Sequence, residues 1–498
     1  MKISKYLSLP IIVSLFLLPG CTKLEDFGDT NVNPETTNTP ATSALLTNAI
    51  SGLERHSDSY PDFENWAALY CQYYSETYIT GNSRYESNDH SPMDLYSEEL
   101  YDLQNIIIYN TDHKTKTIAS QYGANENQIA IARILKAYIY WTITDRWGDI
   151  PYTNALKTGS EINFDTQETI YKDLLLELTE AVALFITGTP VKGDFVYNGD
   201  ISKWKKFANS LRMLISLRLS KRYPMPFEYA ASQFKAALED PAGSIKTNND
   251  NFQLNFEGEI FKNPYFRMYD QGAYVGESAT MTFLLQYLND DHRQAVFGSD
   301  AYGGASTLGV PYGLEDPEIS AWCADNPEFC YVFHPDYREE NDPLFILTAS
   351  HVFLARAEAA DRGWTSETAN ATTLYQTGIT LSYTQWGLEA PDATYFNSTS
   401  VAFTAPAGTG SNLEKIATQQ YVAFYPDGVQ GWSNWRRTNY PTLLPAPDAI
   451  NLPPVIPRRY MYGNLDYALA KEGVEAAVAR LGPNGDKMDS RVWWDKEE

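Results

Sequence analysis

Cys21 is the residue whose type and setting most directly imply chemistry. It follows Leu18-Pro19-Gly20 at the end of an apolar run from Leu7 to Leu18, and Lys2 and Lys5 precede that run. A basic start, a short apolar stretch and a small residue before a cysteine form a lipoprotein signal, although Pro19 is an unusual occupant of it. The run is twelve residues long. A membrane span needs about 20 apolar residues, so the run fits a signal-peptide core instead. Residues 1–20 therefore read as a leader, and Cys21 as the acylated first residue of the mature chain. The alternative is an ordinary signal peptide. Several acyl chains on one cysteine hold far more firmly than one, which binds only marginally. Residues 21–40, rich in Asp, Asn, Thr and Pro, read as a flexible polar tether.

The other chemically capable residues form no catalytic set. Gly-rich phosphate loops, G-x-S-x-G and H-E-x-x-H are all absent. His56, His90, His113, His292, His334 and His351 lack metal-ligand spacing. The adjacent acids Glu98-Glu99, Asp290-Asp291 and Glu339-Glu340 read as solvated faces. Glycoside hydrolysis needs two carboxylates roughly 5–9.5 Å apart across a cleft, and no pattern points to such a pair. The expectation is a protein that is not an enzyme. Cys323 and Cys330 flank Asp325-Asn326-Pro327, a turn that would close a small disulfide loop in an oxidising compartment. Two sulfurs without C-x-x-C argue against a metal site, and Cys71 reads as a buried thiol. Asn248-Asn249-Asp250-Asn251 offers oxygens for a structural calcium or forms a plain polar turn. No cofactor is otherwise implied.

Binding chemistry has better material. Aromatic residues make up 14% of the chain, with 35 Tyr and 11 Trp. Such rings stack on sugars and peptides and also fill cores. Those in irregular segments are the candidate ligand contacts: Tyr78 and Tyr85 beside Asn82 and Arg84, then Tyr274, Tyr302, Tyr312, Trp322 and Tyr331. The formal charge is −25, and it becomes −27 once the leader removes Lys2 and Lys5. That acidity argues against nucleic acid and against anionic lipid as partners.

Helical periodicity dominates the elements that must position these residues. It predicts helices over Ala44–Arg55, Phe63–Tyr78 and Met93–Ala119. Asn125 and Gln128 resemble a capping box opening Ile129–Arg146, which is apolar on nearly every face and so belongs in a core. Further helices are expected over Thr166–Phe185, Ser202–Arg222, Phe227–Leu238, Pro343–Arg362, Ser366–Trp386, Leu413–Phe424 and Leu465–Arg480. Segments 241–313, 387–411 and 441–457 read as irregular, with one helix near Met281–Leu288. The fold class is mostly α: a tetratricopeptide-like scaffold of helix pairs carrying long irregular loops, in a single large domain over 41–498. Long loops on a rigid scaffold are where binding usually lies.

The core helix runs into Asp145-Arg146-Trp147-Gly148-Asp149-Ile150-Pro151-Tyr152, which resembles the SusD/RagB family of outer-membrane nutrient-binding lipoproteins. Trp204–Arg222, Leu354–Ala359, Leu374–Ile379, Thr418–Tyr421, Trp432–Thr438 and Ile456–Arg459 match later family segments in order, so the resemblance covers the chain from about residue 30 onward. Glu25-Asp26 resembles the surface-export signal of Bacteroidetes lipoproteins. The resemblance implies a lipid-anchored protein on the outer face of the outer membrane. It would bind an oligosaccharide or peptide and deliver it to a SusC-like TonB-dependent transporter. In the starch-binding member an aromatic arc from comparable regions holds the sugar, which carries over by region only. A surface hydrolase of glycans or peptides and a ligand-free scaffold of the uptake complex are the competing readings. From the residues themselves, Arg146 and Arg436 beside tryptophans suggest cation–π contacts, Glu358 and Arg356 interhelical pairs, and Gly148 a tight helix exit.

Overall fold

The helix that carries the most apolar faces organises the rest. α5 (Asn125–Trp147) buries residues on every side, as a pattern without a polar stripe requires. The computed structural model describes residues 41–56, 66–87, 90–157, 162–270, 272–367, 371–403 and 410–497, and Ala41–Glu498 forms one unit. Before α5 come α1 (Thr42–Ser51), α2 (Trp66–Tyr70), α3 (Tyr101–Thr111) and α4 (Lys116–Ala119). After it come α6 (Gln167–Leu184), α7 (Ile201–Arg218), α8 (Tyr229–Leu238), α9 (Ala279–Leu288), α10 (Asp291–Phe297) and α11 (Asp316–Asp325). The last third holds α12 (Ala349–Asp361), α13 (Ala371–Thr384), α14 (Ala393–Asn397), α15 (Asn412–Phe424), α16 (Gly428–Thr438) and α17 (Asn464–Arg480). Neighbouring helices pack as pairs, α5 with α6, α7 with α8, α12 with α13 and α15 with α16. The fold is mostly α and tetratricopeptide-like. The leader, Cys21 and the 21–40 tether lie outside the described residues, among which no helix is long and apolar enough to cross a membrane.

The 145–152 turn is a structural junction. Gly148 takes φ +94 and its N–H caps Thr144, a conformation that favours glycine over residues with a Cβ. The buried Asp145 carboxylate accepts from Trp494 Nε1 at 2.8 Å and from the Tyr171 hydroxyl, and Arg218 lies 3.5 Å away. Arg436 donates to the Asp145 carbonyl at 2.8 Å and lies 3.5 Å over the Trp432 ring. Arg146 sits 5.1 Å over Trp147. On α12, Glu358 is fully buried and receives Arg437 Nη2 from α16 at 2.7 Å and Arg362 Nε at 2.8 Å. Arg356 pairs with Glu367. A buried charge persists only when paired and hydrogen-bonded in this way. These contacts tie α5, α6, α7, α12 and α16 to the C-terminal segment.

Among the described residues, eight short strands accompany the helices: β1 (Tyr74–Glu76), β2 (Ile150–Pro151), β3 (Phe164–Asp165), β4 (Phe252–Leu254), β5 (Val275–Glu277), β6 (Gly298–Ser299), β7 (Tyr331–Val332) and β8 (Leu344–Leu347). They form antiparallel pairs β1–β5, β2–β3, β4–β8 and β6–β7. Several expectations are corrected here. The second helix ends at Tyr70, and its expected end becomes β1, because Gln72 turns the chain at φ 61 and β5 offers a partner. The 93–119 stretch opens with a 3-10 turn over Pro92–Leu95 and a π-helical turn over Tyr96–Leu100, then divides into α3 and α4. Leu344–Leu347, expected as the start of a helix, pairs with β4, and α12 begins only after a Thr348/His351 capping box. α10, α11, α14 and α16 were not expected as helices. In α16, Gly428 and Gly431 leave room for the Ala68 backbone and the Tyr73 ring, and that close approach explains a helix containing two weak helix formers. The acid pairs are not uniformly solvated, since Asp290 is held by Arg293, Tyr383 and Tyr395 in the core and Glu99 by Arg55.

Candidate ligand-binding surface

The ladder of β1 and β5 brings the first two candidate aromatics together. Tyr74 pairs with Glu277 and Glu76 with Val275, and the Thr77 N–H extends the ladder to the Tyr274 carbonyl at 2.9 Å. Tyr78 and Tyr274 leave the ladder side by side, half-buried, with ring centroids 4.9 Å apart. On the other edge of β5, the Glu277 N–H donates to the Cys330 carbonyl at 2.9 Å, and the Val310 N–H donates to the Glu277 carbonyl at 2.8 Å. That edge positions a second group. Phe329 and Tyr331 stack at 4.9 Å and 10°, Tyr269 lies 4.5 Å from Tyr331, and Trp322 lies 6.5 Å from Phe329.

α11 is fastened to the Tyr78 loop. The Asp316 carboxylate accepts from the Thr80 N–H at 2.6 Å and from its hydroxyl at 2.8 Å. Those bonds hold Asp316 below the usual carboxylate range. Val310, Ile319 and Phe329 form a small separate apolar cluster, with Ala273, Trp322, Cys323 and Tyr331 packed against it. Arg338 sits 4.9 Å over the Tyr269 ring. Tyr302 projects from a turn in which Asp300 Oδ1 accepts the N–H groups of Tyr302 and Gly304, each at 2.8 Å, and its side chain is almost wholly solvent-exposed. Burial raises the Tyr331 phenol above its ordinary value, and the nearby Tyr302 adds to the effect. Five of the seven candidate aromatics thus border solvent here: Tyr78, Tyr274, Tyr302, Trp322 and Tyr331.

The other two do not. Tyr85 and Tyr312 are buried, 6.4 Å apart, and Tyr85 Oη accepts the Ala446 N–H at 2.9 Å. Tyr85 packs on Tyr70 in the core, so neither ring offers a face to a ligand. The disulfide expectation is also corrected. Cys323 closes the last turn of α11, Cys330 is buried against β5, and both are free thiols, as is Cys71. Burial pushes the Cys323 thiol up to about 11 and Cys330 higher still. Nor is the 248–251 turn an open oxygen cage. Asp250 accepts from Lys206 at 3.0 Å, and Asn248 donates to Thr384 at 2.9 Å and the Leu381 carbonyl at 3.2 Å. Those contacts make it a structural turn, and among the described residues no cluster of three His, Cys, Asp or Glu is placed to hold a metal.

Sequence reasoning missed Tyr269, Phe329 and Arg338. Phe329 lay inside the expected disulfide loop, and Tyr269 in an aromatic segment with no periodic signal. It also missed Glu277, fully buried on β5, the strand that links the two aromatic groups. Gln294 Nε2 donates to its Oε2 at 2.8 Å, while Oε1 has no partner. Burial pushes this carboxyl up to about 8, so it is a neutral acid at pH 7.

Two groups of rings joined through β5 can grip a ligand by stacking. Comparison with known proteins agrees with the mostly helical architecture. A family model described as starch-binding and associating with the outer membrane matches residues 34–463. The chain belongs to the SusD-like family. Among solved structures, this SusD-like chain is similar to a chitin-binding protein at 26% identity and TM-score 0.74, covering 92% of this chain and 100% of the other. It is also similar to a chitin-binding SusD homologue from Flavobacterium johnsoniae, at 22% identity and TM-score 0.73, with 92% and 98% covered. A SusD-like protein from Bacteroides thetaiotaomicron shares the fold at 22% identity and TM-score 0.75, with 92% and 99% covered. No curated protein matches the chain.

Proposed function

We propose that this protein is a non-catalytic glycan-binding lipoprotein of the outer membrane. Its leader, residues 1–20, would be removed, Cys21 acylated, and residues 21–40 kept as the tether of a domain facing the cell surface. It captures an oligosaccharide and passes it to a SusC-like TonB-dependent transporter. The observation that carries the reading is the two groups of solvent-bordering rings, Tyr78 with Tyr274 and Trp322 with Tyr331 and Tyr269. Pyranose rings present apolar C–H faces that stack on such surfaces, and several such rings match a chain of sugars better than a single residue. Two similar solved structures carry chitin-binding in their names, which favours a glycan over a peptide and makes chitin oligosaccharides the first ligands to try. Calorimetric titration of the mature domain with chitin and starch oligosaccharides and with mixed peptides tests the proposal. Binding of one glycan series, weakened about ten-fold or more by Tyr274→Ala, is the expected result. Binding of peptides alone, or glycan binding indifferent to Tyr274, overturns it.

A further inference from the structure

A second site lies among the helix pairs. A cavity of about 290 Å³ opens between α3, α5, α6 and the loop after β2. Its size is at the lower edge of small-molecule sites and suits an occupant no larger than a monosaccharide. One wall is aromatic: Tyr140 and Tyr152 meet edge to face at 4.8 Å, with Leu156 beside them. The wall is rigidly held. Asp165 accepts the N–H groups of Tyr152 at 3.1 Å and Thr153 at 2.8 Å, and Tyr152 Oη donates to Asp173 Oδ2 at 2.6 Å.

Lys136 on α5 is the unusual member. Its ammonium donates to the neutral amide oxygen of Gln104 at 2.5 Å and forms no ion pair among the described residues. Glu177, the acid whose charge acts on Lys136, is taken by a two-pronged contact from Arg133 at 2.7 and 2.9 Å, and Arg133 also holds Glu180 at 2.6 Å. A chain of net charge −25 therefore keeps an unneutralised cation facing a lined cavity. Leaving an ammonium without a counter-charge out of water is costly. An anion entering the cavity would offset that cost. Opposite the lysine, Asp173 retains acceptor capacity beyond its bond from Tyr152, which suits ligand hydroxyls.

We infer that this cavity binds a small hydroxylated carboxylate of uronic-acid type, with Lys136 on the carboxylate, Asp173 on hydroxyls and Tyr140 and Tyr152 against the ring. The site shares no residue with the aromatic surface and does not depend on that surface binding glycan. Its pH behaviour is distinctive. Burial pushes the Lys136 amine down to about 8, with Glu177 opposing and Arg133 assisting. The charge that attracts the carboxylate is present at pH 7 and is lost as pH rises through about 8, well before an ordinary lysine would lose it.

Calorimetry of the mature protein with glucuronate tests this, with glucose and acetate as probes lacking the carboxylate and the ring. Glucuronate should bind at pH 7, and glucose and acetate should each bind at least about ten-fold more weakly. Raising the pH to about 9.5 should weaken glucuronate more than ten-fold. Lys136→Met and Lys136→Gln, whichever retains the wild-type circular dichroism, should weaken it about ten-fold or more, and Tyr274→Ala should leave it unchanged. Absence of glucuronate binding, equal binding of acetate, or an affinity indifferent to both Lys136 variants or to pH overturns the inference.

Discussion

Glu277→Gln isolates the buried acid on β5. In the unfolded chain the Glu277 carboxyl ionises near its ordinary 4.5, whereas burial holds it neutral in the folded protein until about pH 8. The raised value means the unfolded state releases this proton first. Below 4.5 both states are protonated and the group contributes no pH dependence. Between 4.5 and 8 the folded state progressively loses stability, and above 8 the loss levels off. At about 1.36 kcal/mol per unit, the wild type should lose about 4 kcal/mol relative to Glu277→Gln between pH 4.5 and pH 8. The neutral amide keeps the Gln294 partner but can leave one N–H unsatisfied, a constant cost of about 1–3 kcal/mol. That constant cancels when only the pH dependence of the difference is read. Urea unfolding followed by tryptophan fluorescence at pH 4.5, 6, 7 and 8 measures it. Two stability curves that run parallel, separated by a pH-independent gap, would refute the assignment of Glu277 as a buried neutral acid. If the assignment holds, ligand affinity should fall as pH rises through about 8, where Glu277 ionises in the folded wild type, and not in the variant, because β5 carries Glu277 between the two aromatic groups.

Two further outcomes follow from the core. Burial alone would raise the Glu358 carboxyl, but Arg437 and Arg362 outweigh it and hold the group at about 2; its stabilisation is present above 4.5 and is lost as pH falls through about 2. Arg437→Met should cost roughly 3–5 kcal/mol in urea unfolding near pH 7, and Glu358→Leu added to it should recover most of the loss, because two apolar groups replace a half-broken ion pair. Thiol titration of the denatured, unreduced protein should find Cys71, Cys323 and Cys330 all reactive, and a disulfide-linked peptide spanning Cys323 and Cys330 in a mass map would contradict the structure.

Legibility differed by element. α5 was readable because its apolar residues occupy every face, a purely local pattern, and so was the junction at Gly148, where a glycine follows an Arg-Trp helix end. The roles of Arg436 and Glu358 were readable as types, paired and buried, though not their partners. β1 was not readable, because Tyr73 to Tyr78 carries spacing compatible with a helix and its strand state depends on β5, about two hundred residues away. Tyr85 and Tyr312 looked the same in sequence as Tyr78 and Tyr274. What separates them is the tertiary environment, with Tyr85 turned inward onto Tyr70 and the Ala446 amide. The disulfide reading failed for a related reason. A Pro-Asn-Asp turn brings cysteines close along the chain, but helix α11 and the β5 edge each hold one sulfur separately.

By itself, then, the sequence determined the helical scaffold, the single 41–498 domain as an expectation, the family and the candidate lipidated cysteine. These follow from local periodicity and ordered short motifs, which need no knowledge of what lies across the fold. Only the tertiary structure decided which rings border solvent, that Glu277 is buried and neutral on β5, and that Lys136 faces a cavity without a counter-charge. Those properties arise from desolvation and from pairings between distant segments. The local run of residues around each site contains neither.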